Sequence, residues 1–226
     1  MQDRETKAEH RATITEIAQE ALASHVISPE QESGPVRMWL CHRPGTGAYH
    51  YRVIAAPGML LVYGDIGDHM LQANDKDLVP WLHRAINSPD YLISKFVRRP
   101  KTFFPYEAML LLDRLVQDGK DWDEQSGYNL DEDGNEIMGM HEEEARTLKR
   151  KVLDEWDPDY DDEHMFARAF YYAGGEASLI ESTRDYDSDV YWTVECLKKF
   201  VELYDEHERT RNDEEGISSS YVALDE

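Results

Sequence analysis

Between residues 36 and 75, apolar runs alternate with three closely spaced turn signals. These are Pro44-Gly45-Thr46-Gly47, Pro57-Gly58 and Gly64-Asp65-Ile66-Gly67-Asp68. Glycine supplies the positive φ that tight turns need, and proline presets φ at a corner. Val36, Met38 and Leu40 alternate before the first turn, and Tyr49, Tyr51 and Val53 alternate after it. Met59–Tyr63 and His69–Ala73 complete the set. Loops this short leave no room for the crossover a parallel pair requires, so neighbouring strands must pair antiparallel.

The flanks read as helix. Ile14, Ile17, Ala18, Ala21 and Leu22 recur at helical spacing within residues 4–27. Ser28-Pro29-Glu30-Gln31-Glu32-Ser33-Gly34-Pro35 reads as a linker. After the meander, Asp77 is an N-cap candidate, Ser88-Pro89-Asp90 a second helix start, and Pro105 opens a helix ending at Gly119. Asp133-Gly134 predicts a β-hairpin over 128–138. Helices are expected at 141–155, 161–173 and 187–209, with Gly174 or Gly175 as a left-handed C-cap. The expected fold class is α+β: an N-terminal helix, a small antiparallel sheet, and a helical C-terminal half with an inserted β-hairpin. Its parts are an N-terminal helix and linker (1–35), the sheet with packed helices (36–120), an acidic helical region (121–210) and a flexible tail (211–226).

A chain of 226 residues can bury one good core, or one core with a small appendage. No apolar run is long enough to cross a bilayer, and the first residues lack the apolar stretch of a secretory signal. Cys41 and Cys196 are expected as free thiols of a reducing compartment. The net charge of −23 opposes nonspecific binding to DNA or to anionic membranes. The charge is uneven: residues 36–106 carry net +4 and residues 107–226 net −23.

The segment Pro57-Gly58-Met59-Leu60-Leu61-Val62-Tyr63-Gly64-Asp65-Ile66-Gly67-Asp68-His69 is flanked by Cys41-His42-Arg43-Pro44, Trp81-Leu82 and Ser88-Pro89-Asp90-Tyr91-Leu92-Ile93-Ser94-Lys95. Over about residues 38–96 this pattern resembles a poorly characterised family of bacteriophage and prophage proteins. The resemblance implies a phage accessory protein working in the bacterial host cytoplasm, and it carries over no catalytic residue.

Residues 121–163 hold 17 Asp or Glu against 4 Lys or Arg, with aromatic residues interleaved. A face of this kind suits a basic or nucleic-acid-binding host protein, with carboxylates standing in for phosphates. The expected contact residues are Asp154, Asp157, Asp159, Asp161 and Asp162, with Trp122, Trp156 and Tyr160 as apolar anchors. Direct binding of nucleic acid or membrane is not expected, and a second copy of the chain stays open as a partner.

Lys95, Arg98, Arg99 and Lys101 lie among Phe96, Phe103 and Phe104, a combination suited to nucleotides as an alternative. A further alternative is a metal-dependent enzyme using Asp65, Asp68 and His69; the competing reading is that these aspartates brace a turn. Residues 121–132 resemble a calcium loop, but its glycine falls at position 7 rather than 6. His42, His50, His69, His83 and Cys41 lack the close spacing of a zinc site. No phosphate loop, nucleophile elbow or dinucleotide fingerprint occurs. Binding without a cofactor, rather than catalysis, is the expectation.

Overall fold

The computed structural model describes residues 6–124, 140–160 and 162–214. The fold is α+β, and the chain divides into two compact units. One unit comprises residues 11–100 and 187–226, the other residues 1–10 and 101–186. The hairpin expected at 128–138, Asp161 and residues 215–226 lie outside the described residues.

The first unit holds a five-stranded antiparallel sheet in sequential order: β1 (Val26–Gln31), β2 (Arg37–His42), β3 (Tyr51–Ala56), β4 (Met59–Gly64) and β5 (Gly67–Gln72). Two-residue turns join β3 to β4 and β4 to β5, and a longer loop through Pro44-Gly45 joins β2 to β3. The strand β1 corrects the linker expected at 28–35. Pro29 cannot donate to a ladder, but β1 is an edge strand, and the register slips between Pro29 and Gln31 in a bulge. The N-terminal helix α1 (Lys7–Leu22) therefore ends earlier than residue 27.

Side chains alternate between the two faces of the sheet. Trp39, Cys41, Tyr51, Val53, Leu60 and Val62 are buried on one of them. The long helix α8 (Ser188–Glu214) lies against that face. Trp39 meets Phe200 and Tyr204 at ring distances of 5.3 and 5.5 Å, and the Tyr51 hydroxyl donates to the Cys196 carbonyl at 2.9 Å. Both cysteines are free and buried, and burial pushes the Cys41 thiol up to about 12. Helices α2 (Leu78–Ala85) and α3 (Pro89–Ser94) start where expected. Asp77 accepts from the Val79 amide at 3.2 Å, while Ser88 makes no side-chain cap bond.

The second unit is helical: α4 (Pro105–Glu124), α5 (Glu142–Glu155), α6 (Glu163–Tyr172) and the short α7 (Ala177–Ile180), followed by a 3-10 turn, Glu181–Thr183. A two-stranded antiparallel ribbon, β6 (Lys101–Phe103) with β7 (Arg184–Tyr186), closes it. The core gathers Leu111, Leu112, Leu148, Val152, Phe166 and Phe170.

Helix α4 runs through Gly119 instead of ending there. A Cβ at Gly119 would lie 2.9 Å from the Glu142 amide nitrogen and 3.0 Å from the Met140 carbonyl. The glycine is thus a point of close approach between α4 and the chain entering α5. At the end of α6 the Gly174 amide bonds the Tyr171 carbonyl and the Gly175 amide bonds the Phe170 carbonyl. This is a Schellman motif with Gly174 at φ +100°.

Candidate partner-binding surface

The site expectation centres on the α5–α6 connection, where the structure separates structural from exposed residues. Trp156 is not an interface anchor. It is 2% exposed and packs edge-on to Phe166 at 4.8 Å and Phe103 at 6.3 Å. Such pairs add about 0.5–1.5 kcal/mol each beyond area burial. Buried Trp156 pins the loop that follows it to the core. Asp157 then accepts from the Asp159 amide at 2.9 Å, and the Tyr160 amide bonds the Asp157 carbonyl at 3.1 Å. Asp162 caps α6 by accepting from the Met165 amide at 3.1 Å. Asp157 and Asp162 therefore serve the backbone.

What remains outward is distinct. Tyr160 is 88% exposed at the tip of this loop. Asp154, Glu155 and Asp159 are exposed and hold no ion pair among the described residues. Trp122 is half-buried. Sequence reasoning missed Tyr171 and Tyr172, which are 67% and 77% exposed at the other end of α6. A signal existed: Phe166, Ala169, Phe170 and Ala173 take the inward stripe at helical spacing, which turns both tyrosines outward.

Other carboxylates of this unit are engaged within it. Glu163 binds Arg184, Asp113 binds Lys149, Glu142 binds Arg146 and Glu181 binds both Lys101 and Arg184. Asp154 borders a groove of about 650 Å³ between α4 and α5, where Lys149, Arg146 and Arg150 also stand. Asp154, Glu155 and Asp159 thus form one cluster of outward carboxylates, at the end of α5 and in the loop that follows.

Ahead of α5, His141 Nδ1 donates to Asp123 Oδ1 at 2.6 Å, and the Glu142 amide donates to the same carboxylate at 3.0 Å. The hydrogen bond from His141 holds Asp123 below the ordinary carboxylate range, and Asp123 raises His141. The contribution of His141 is present below its unfolded value and is lost as pH rises through its raised folded value. That of Asp123 is present above its unfolded value and is lost as pH falls through its depressed folded value. The pair is therefore intact between those limits. In an NMR titration His141 should titrate above a free imidazole, and Asp123→Asn should move it down.

The basic cluster is divided between the units. Lys95 is half-buried with its ammonium 4.6 Å from the Tyr91 ring centroid, and Arg98 and Arg99 are exposed. Lys101 belongs to the helical unit, bound to Glu181 and lying over Tyr186. A phosphate at Lys101 would have to displace that carboxylate.

The Asp65, Asp68 and His69 grouping does not form. Asp68 and His69 are consecutive in β5 and point to opposite faces. His69 is buried with Nε2 3.3 Å from Asp189 Oδ2 of α8, while Asp65 pairs with His50 Nδ1 at 3.0 Å. Asp65 and Ile66 make the two-residue turn between β4 and β5. Among the described residues, Glu32, His207 and Glu208 are the group with metal-ligand spacing. Glu32 already accepts from Trp39 and His207, and Arg211 reaches both glutamates. No helix among the described residues is long and apolar enough to cross a membrane.

The chain matches no family model, no curated protein and no solved structure.

Proposed function

We propose that this chain is a phage accessory protein that inhibits a host bacterial defence factor in the host cytoplasm by binding it through the acidic α5–α6 loop. The observation that carries the reading is Tyr160, an exposed aromatic ring four residues after buried Trp156, flanked by Asp154, Glu155 and Asp159, whose carboxylates hold no ion pair among the described residues. A rigid aromatic anchor inside a charged rim is the pattern of a binding hot spot. The carboxylates would steer a basic, nucleic-acid-binding target and set specificity. Self-association belongs to another face, because two acidic loops repel.

The test is phage plating on hosts carrying defined defence systems, with and without the chain, followed by salt-graded affinity purification. The variant to compare combines Asp154→Asn, Asp159→Asn and Tyr160→Ala. It spares Asp157 and Asp162, whose loss would disturb the turn and the cap. Protection should fall at least tenfold with the melting temperature unchanged. A folded variant that protects as well as the parent would sink the reading.

Arg98 and Arg99, exposed and without an ion-pair partner among the described residues, support a second reading as a nucleotide-sequestering module. Under it, a nucleotide panel would raise the melting temperature by mass action, and Arg98→Ala with Arg99→Ala would abolish the shift.

A further inference from the structure

The sheet has a second face. α8 reaches the strands through Trp39, Tyr51 and His69, all on the buried face. On the opposite face Met38, Ile54, Leu61 and Met70 are half-exposed and stand directly opposite one another across β2, β3, β4 and β5. They form one uninterrupted apolar row. Leu40 and Tyr63 extend it on one side and Met59, 36% exposed, on the other. A contiguous apolar row left partly accessible on a sheet face is a candidate interaction surface.

We propose that this face is the interface between two copies of the chain. Three observations select a second copy as the occupant. The row reads Met, Ile, Leu, Met from β2 to β5, nearly the same in either direction. A two-fold axis running along the strands between β3 and β4 therefore lays methionine on methionine and Ile54 on Leu61 of the other copy. Such self-complementarity is what an isologous contact requires.

The second observation is charge. The face carries Glu30, Arg52 and Asp68, and Arg52 is already bonded to Glu30 at 2.9 and 3.0 Å while lying over the Tyr63 ring. In a chain of net charge −23 this near-neutral face brings two copies together with little local repulsion. The third is size. Five strands at about 4.8 Å by six residues at about 3.3 Å give a plane of roughly 24 by 20 Å. That plane, about 480 Å² of flat area, is within a factor of two of the roughly 800 Å² per partner that a standard interface buries.

Salt separates this contact from the acidic loop. Apolar burial is not weakened by salt, and screening relieves the repulsion between two acidic chains, so the dimer tightens as salt rises. Binding through the acidic loop weakens under the same change.

Sedimentation of the full chain at low and high salt tests the proposal. The expected result is twice the 26.3 kDa chain mass, with tighter association at high salt. Leu61→Glu should weaken association at least a hundredfold while the circular dichroism spectrum of the folded chain is retained. Should Leu61→Glu fail to fold, mixing Ile54→Cys with Leu61→Cys provides the second arm. Oxidation then links the two variants to each other more efficiently than either to itself. A wild-type chain that stays monomeric at about 100 µM in both salts would overturn the proposal, as would a folded Leu61→Glu dimer or the absence of preferential cross-linking.

Discussion

Trp156→Ala is expected to lower the stability of the helical unit by about 3–5 kcal/mol, the range for removing a large buried aromatic side chain. The ring is 2% exposed and holds Phe103 and Phe166 edge-on, so its removal leaves a cavity bordered by rigid neighbours. Tyr160→Ala, four residues on, should change stability by no more than about 0.5 kcal/mol, because its ring is 88% exposed. Urea unfolding followed by near-ultraviolet circular dichroism checks both. The contrast matters for function: a loss of inhibition in Trp156→Ala would report unfolding, whereas a loss in Tyr160→Ala would report the contact. Equal stability of the two variants would remove the argument that the loop is pinned from beneath.

Gly119→Val is expected to destabilise the same unit by about 1–3 kcal/mol, the usual cost of overpacking. Intrinsic propensity points the other way, since glycine inside a helix costs up to about 1 kcal/mol relative to alanine. Packing wins because the neighbours of the added Cβ are backbone atoms of Met140 and Glu142, which cannot rotate aside. Even Gly119→Ala should therefore fail to stabilise the protein. A rise in urea midpoint for Gly119→Ala would show that α4 and the start of α5 separate easily, contrary to the close approach of their backbones.

These two sites explain what was readable in advance. The four strands of the meander and the starts at Asp77 and Pro105 were legible because turn geometry, alternation and capping act over a few residues. Trp156 reads as an anchor in the sequence because an aromatic residue amid carboxylates looks like one until Phe103, remote in sequence, and Phe166 of the next helix are in place. Gly119 looked like a helix end because only a neighbouring backbone distinguishes a terminator from a close contact. Pro29 looked like a linker residue because edge strands tolerate proline, and edges exist only once the sheet is assembled.

By itself, the sequence determined the class of fold, the order of the antiparallel meander, most helix starts and the location of the negative charge. All of these follow from local backbone preference and from composition. Tertiary structure alone decided which aromatic residues are core and which are exposed. It decided which aspartates cap backbone and which stand free, that α8 covers one face of the sheet, and that Met38, Ile54, Leu61 and Met70 align across the other. Those outcomes depend on contacts between residues far apart in the chain, and no local rule specifies which distant partner a side chain will meet.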